Sequence, residues 1–192
     1  MAKDRSQVIF VCCGPPCSGK SAVAERLSEV LAANAAPVHY LTVDKLLTEL
    51  IPDSDRNVND RTFALDQMHD RAMQLATAST TVVLDSTYTR RQARTQLYES
   101  CGVLPMMIVE LFVPPEVAVR RFEARGSHDA ADLTAQSVRD AAAEFPWSKL
   151  PSILKYDTEV TAIDEIASDL ASLASTKNRL FEDPLAWVAE GL

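Results

Sequence analysis

Eight residues near the N-terminus carry the strongest chemical signal: Gly14-Pro15-Pro16-Cys17-Ser18-Gly19-Lys20-Ser21, a G-x-x-x-x-G-K-S pattern. A loop of this composition turns backbone N–H groups onto phosphate oxygens, and a helix starting at its end adds partial positive charge. Lys20 would reach the β- and γ-phosphates, and the Ser21 hydroxyl would ligate Mg²⁺. The flanks fit this chemistry. Val8-Ile9-Phe10-Val11-Cys12-Cys13 reads as a buried strand before the loop, and Ala22-Val23-Ala24-Glu25-Arg26-Leu27 continues it as a helix. A chance Gly/Ser-rich turn has no need of a strand and a helix in register. The chain is therefore expected to bind ATP with Mg²⁺ through residues 14–21.

A bound triphosphate is half of a transfer reaction. The other half needs a carboxylate to orient an acceptor hydroxyl and take its proton, with positive charge on the group in flight. Asp44 and Asp85 each follow an apolar run, Val38 to Val43 and Val82-Val83-Leu84. An Asp in this place often caps a helix, but in an open α/β sheet both would reach the carboxyl edge where ligands bind. Asp44 is the candidate base and a substrate-binding residue. Asp85 stands like a Walker-B acid, either for a Mg²⁺-bound water or for substrate. Arg120, Arg121 and Arg125 precede the irregular Gly126-Ser127-His128-Asp129. They suit a lid over about 120–135 that closes on ATP and excludes water, with Arg121 and Arg125 as the catalytic candidates. Arg90, Arg91 and Arg94 follow Asp85 closely. Arg91 and Arg94 share a helix face and are either substrate-binding cations or a solvated surface. His39 and His69 read as structural, and His128 is the histidine to test.

The elements that must position these residues alternate along the chain. Expected strands are Gln7–Cys13, Val38–Val43, Thr80–Leu84, Met106–Val113 and Ile153–Thr158. Between them lie helices ending near Ala33, over Lys45–Leu50, Asp60–Ala78, Thr89–Ser100, Glu116–Ala124 and Leu133–Phe145. Leu65, Met68, Ala72 and Leu75 mark the buried stripe of the longest, and Gly102 is placed to cap the fourth. Ile163, Ile166, Leu170 and Leu173 line a last clear helix. A tail over about 178–192, carrying Trp187, is apolar enough to dock on the body or make a subunit contact. Short strands joined by right-handed helical crossovers imply a three-layer α/β/α sandwich with a mostly parallel five-stranded sheet and a small lid. One P-loop domain over 1–192 is expected.

Bulk properties narrow the classes further. The 192 residues are 47% apolar and 24% charged, as in a soluble globular protein. No apolar run reaches the roughly 18 residues of a membrane span, and Met1 to Gln7 leaves no room for a signal peptide, so a cytoplasmic location is expected. Cys12, Cys13, Cys17 and Cys101 show neither zinc-ligand spacing nor a disulfide framework. A formal charge of −8 disfavours a nucleic-acid partner and favours a small-molecule acceptor, in a monomer or homodimer.

The order of these segments resembles the small P-loop kinases, which include the kinase domain of polynucleotide kinase, the gluconate kinases, chloramphenicol phosphotransferase and the zeta toxins. It rests on the P-loop, Val43-Asp44-Lys45-Leu46-Leu47, Val82-Val83-Leu84-Asp85-Ser86-Thr87 and Arg120-Arg121-Phe122-Glu123-Ala124-Arg125, spanning about Val8 to Thr158. Thr42 to Leu47, with Pro52 beyond, is similar to the segment of chloramphenicol phosphotransferase that carries its acceptor-activating aspartate. The stretch from Leu84 to Arg94 looks more like polynucleotide kinase, but Leu47 stands where that group places an arginine. The resemblance implies ATP-dependent phosphorylation of a hydroxyl on a sugar, nucleoside or antibiotic-like alcohol. A polynucleotide 5′-hydroxyl kinase and a nucleotide-dependent switch or ATPase are the alternatives.

Overall fold

The computed structural model describes residues 8–33, 37–78, 80–125, 133–176 and 184–190. Residues 126–132 of the expected lid, including His128, lie outside the described residues, as do parts of the tail. Five strands form one sheet: β1 (Ile9–Cys13), β2 (Val38–Thr42), β3 (Thr81–Asp85), β4 (Met106–Phe112) and β5 (Leu154–Asp157). Their order is β2-β3-β1-β4-β5, and every pair is parallel. The helices are α1 (Lys20–Ala33), α2 (Val43–Leu50), α3 (Val58–Thr77), α4 (Arg91–Cys101), α5 (Pro115–Ala124), α6 (Ala135–Ala143), α7 (Ile163–Thr176) and α8 (Pro184–Ala189). This is the three-layer arrangement expected from the alternating pattern.

The strands alternate because both faces of the sheet are covered. Ile9, Val11, Val82, Leu84, Met106 and Ile108 point to one face, against Leu65, Met68 and Ala72 of α3, Leu97 of α4 and Trp187 of α8. Phe10, Cys12, Val83, Met107 and Val109 point to the other, against Val23 and Leu27 of α1 and Ile166 and Leu170 of α7. A third, smaller cluster joins Val117 and Ala118 of α5 to Val138 and Ala142 of α6, with Cys17 of the P-loop at its edge.

Several boundaries differ from the sequence expectation for local reasons. β2 stops at Thr42, because the Thr42 side chain accepts the Lys45 N–H at 3.1 Å and starts α2 there. Asp44 thus lies in the first turn of a helix rather than at a strand end. β2 is also the edge strand and is half-buried, with His39 exposed, whereas its apolar run suggests a buried strand. α6 begins only at Ala135, where Thr134 and Ser137 form a reciprocal capping box. Gly102 does follow α4, but its φ of −63° is right-handed, not the left-handed geometry of a glycine cap.

Candidate active site

Register brings the carboxyl ends of the central strands into one row. Cys12 lies beside Asp85 in the β1–β3 pair, and Thr42 beside Asp85 in the β2–β3 pair. The P-loop after β1, Asp44 just past β2 and Asp85 ending β3 therefore share one edge. Between them opens a cleft of about 540 Å³ whose lining includes Pro16, Cys17, Lys20, Ser21, Asp44, Asp85 and Arg125.

The P-loop is held by close contacts on its outer side. Gly14 has φ +154°, and a methyl group there would lie 2.2 Å from the Leu111 carbonyl oxygen. Gly19 has φ +89° and packs against Thr158. Both positions need a residue without Cβ. Cys17, at φ +62°, takes the left-handed conformation inside the loop. The Thr158 hydroxyl donates to the Ser18 carbonyl at 2.6 Å. Arg121 donates to the Cys17 carbonyl at 3.3 Å, and to the Thr158 hydroxyl and carbonyl at 2.8 Å each. Arg121 is thus a brace between the P-loop and the turn after β5, and it is not on the cleft wall. Thr158 was not singled out by sequence; its only signal is its place at the end of the fifth strand.

Asp85 is 5% exposed. Its Oδ2 accepts the Tyr40 hydroxyl at 3.1 Å, while its Oδ1 is buried with no hydrogen-bond partner among the described residues. Burial first, and then the Asp85 carboxylate, push the Tyr40 hydroxyl well above the usual phenol range, so Tyr40 stays a donor. Burial, with Asp85 adding to it, likewise raises the Cys12 thiol far above its ordinary value. Cys12 therefore remains a neutral packing group. An unpartnered carboxylate oxygen in the same cleft as the Ser21 hydroxyl fits Mg²⁺ or a water on it, a hard cation that takes oxygen ligands and shares them with phosphates. Among the described residues, no group of three or more His, Cys, Asp or Glu would hold a metal by itself.

Asp44 is more open. Its side chain is 52% exposed, and Oδ1 accepts from Arg56 at 3.2 Å. Arg56 holds φ +59°, a left-handed turn that folds the 53–57 loop back over the start of α2. The neighbouring arginines separate clearly. Arg91 is exposed and outside the cleft lining, where Arg90 appears instead. Arg94 is 1% exposed, so the expected substrate contact is replaced by a structural one. It donates to the carbonyls of Tyr88 at 2.8 Å, Pro146 at 3.2 Å and Trp187 at 3.4 Å, and lies 4.6 Å over the Trp187 ring. Arg120 pairs with Glu159 at the surface, 3.2 Å away. Arg61 of α3, not weighed for a role from sequence, lines the cleft.

A family model described as an AAA domain, AAA_33, matches residues 9–146, more than half of the chain. The chain belongs to this family. Comparison with curated proteins finds no match in sequence. Among solved structures, the AAA-domain chain is similar to the Mycobacterium tuberculosis APS kinase in complex with AMPPNP and APS, at 20% identity and TM-score 0.69, covering 90% of this chain and 99% of that one. It is also similar to the Deinococcus radiodurans tunicamycin resistance protein, at 15% identity and TM-score 0.62, covering 91% and 98%. A gluconokinase from Sinorhizobium meliloti 1021 aligns at 19% identity and TM-score 0.56, covering 91% and 98%. At these identities the shared feature is the fold, a P-loop α/β/α sandwich of the same size.

Proposed function

We propose that this chain is an ATP-dependent phosphotransferase acting on a hydroxyl group of a small molecule. The observation that carries the reading is the convergence of Lys20, Ser21, Asp44, Asp85 and Arg125 on one cleft. A nucleotide switch needs the P-loop and a metal-side acid, but it has no use for an additional carboxylate facing an open space across from the phosphates. Two of the similar folds, the APS kinase and the gluconokinase, are kinases, which supports the same class.

The P-loop backbone and Lys20 hold the triphosphate, while Arg121 and Thr158 keep the loop in shape from behind. Ser21 and Asp85 would hold Mg²⁺, which when bound supplies charge neutralisation at the phosphate oxygens. Asp44 accepts the proton of the acceptor hydroxyl as that oxygen bonds to the terminal phosphorus and the bond to the departing ADP oxygen breaks. Arg56 orients the Asp44 carboxylate. Arg125, at the end of α5, supplies positive charge to the transferring group.

An ADP-release screen over alcohols, sugars, nucleosides and 5′-hydroxyl oligonucleotides tests the reading. Lys20→Ala is expected to abolish turnover. Asp44→Asn is expected to keep ATP binding and lose about 10²–10⁴-fold in kcat, the usual share of a general base. Full activity of Asp44→Asn, or ADP release at the same rate without any acceptor, would overturn it.

A further inference from the structure

Three described residues other than glycine hold positive φ. Two of them are accounted for, Cys17 inside the P-loop and Arg56 where it turns to meet Asp44. The third is Tyr88, at φ +50°. A bulky aromatic residue is strained in this region, and such strain persists only where the surroundings hold it. Tyr88 is held from three sides. Its ring is 1% exposed, and its hydroxyl shares a 2.9 Å hydrogen bond with Nε2 of His69 on α3. Arg94 of α4 donates its Nε to the Tyr88 carbonyl at 2.8 Å. The Trp187 ring of α8 lies 5.8 Å away, centre to centre.

Filling the core does not account for the turn. A buried tyrosine can be supplied from an ordinary backbone, and a glycine at 88 would make the same turn without strain. The tyrosine combines the two, a left-handed turn and an anchor beneath it. What it anchors is the segment from Ser86 to Arg90 between β3 and α4, which forms one wall of the cleft that Asp44 also lines. The near end of that segment is tied where the Ser86 N–H donates to the Cys12 carbonyl at 3.3 Å. The far end enters α4, where the Arg94 N–H donates to the Arg90 carbonyl at 3.3 Å. Thr87 and Thr89 stand on either side of the anchor and both line the cleft. Thr87 is half-buried and Thr89 exposed, and among the described residues neither hydroxyl has a hydrogen-bond partner. The nucleotide side is held separately, Asp85 by its pairing within the sheet and Lys20 by its place at the start of α1.

We infer that Tyr88 is a positioning residue for the acceptor: its anchored left-handed turn fixes the wall on which the Thr87 and Thr89 hydroxyls meet the acceptor beside Asp44. This rests on the kinase reading above and names the wall that binds its substrate. The test uses the member of the alcohol, sugar, nucleoside and 5′-hydroxyl oligonucleotide screen that gives the native protein its fastest acceptor-dependent ADP release. Tyr88→Gly relaxes the turn and removes the anchor. It is expected to lower kcat/KM for that acceptor about 10²-fold, the scale of a misplaced substrate, with the ATP KM and calorimetric MgADP binding unchanged. Tyr88→Phe keeps the ring and should recover most of the loss. Thr87→Val and Thr89→Val are near-isosteric and leave the anchor in place, so they carry the test if thermal unfolding shows that Tyr88→Gly does not fold. At least one of the two should raise the acceptor KM about tenfold, the share of one hydrogen bond. If Tyr88 only fills the core, Tyr88→Gly raises the acceptor KM and the ATP KM together as the fold weakens. That result overturns the inference, as does an acceptor KM unmoved in both valine variants, and either leaves the kinase reading intact. ADP release from the native protein that is indifferent to every acceptor overturns both.

Discussion

A carboxylate as enclosed as Asp85 destabilises the empty protein unless its oxygens are used. Tyr40 uses one of them, and the other is buried without a partner among the described residues, a situation that costs about 1–3 kcal/mol. A group kept at such a cost points to a bound partner. Asp85→Asn retains an oxygen for Tyr40 and removes the buried charge. It is expected to leave the nucleotide-free protein as stable or more stable, while raising about tenfold the Mg²⁺ concentration needed for half-maximal nucleotide binding. Thermal unfolding and a Mg²⁺ titration with a fluorescent nucleotide measure the two effects; lower stability with an unchanged Mg²⁺ requirement would make Asp85 purely structural. Gly14 is constrained differently. With φ +154° and the Leu111 carbonyl oxygen 2.2 Å from where a methyl would sit, Gly14→Ala should destabilise by more than the ordinary glycine-to-alanine difference of about 1 kcal/mol. The two glycines, Lys20 and Asp85 were legible because their chemistry is local: a loop pattern and an acid closing an apolar run. Tyr40, Arg56 and Thr158 were not, since each matters through a partner that only the folded sheet brings near.

At the scale of elements, the reading that changed most is α4. Its helical pattern and its basic residues are plain in the sequence, and the spacing of Arg91 and Arg94 suggests a shared outward face. Which face turns inward depends on α8, which lies more than 80 residues downstream and lays Trp187 against Arg94 and Tyr88. No periodicity within α4 encodes that contact. Trp187→Ala is expected to cost about 3–5 kcal/mol, the range for deleting a buried aromatic, read by urea unfolding. The same core holds His69 of α3, fully buried, its Nε2 bonded to the Tyr88 hydroxyl at 2.9 Å. Burial lowers its pKa to about 4, against 6.5 for an unperturbed histidine. Between these values the unfolded chain binds a proton that the folded chain refuses, so stability from this group falls as pH drops from about 6.5 to 4. The full effect is about 3 kcal/mol by linkage. The stability difference between the native protein and His69→Gln should therefore shrink between pH 7 and pH 5; a gap that stays constant would show His69 to titrate normally.

Across the whole molecule, one sheet carries both main cores, and the cleft opens at the edge where that sheet ends. β1 contributes Ile9 and Val11 to one face and Phe10 and Cys12 to the other, then runs directly into the P-loop. Arg121 and Thr158 connect the same loop to α5 and to the turn after β5. Ligand binding at the loop is therefore coupled to packing on both faces and on both sides of the strand order. If this coupling is as tight as the contacts indicate, unfolding should be one transition by circular dichroism and by tryptophan fluorescence. Trp187 reports the α8 side, and Trp147, edge-on to Phe112 and tilted against Phe145, reports the β4 side. MgATP at about a hundred times its Kd should stabilise the fold by about 2.7 kcal/mol, and that corresponds to roughly 5–10 °C in Tm for a chain of this size. Lys20→Ala should lose most of this shift without losing the fold, because Lys20 is half-buried at a helix start rather than in either core. Two separated transitions, with MgATP moving only one, would instead divide the P-loop side of the molecule from the rest.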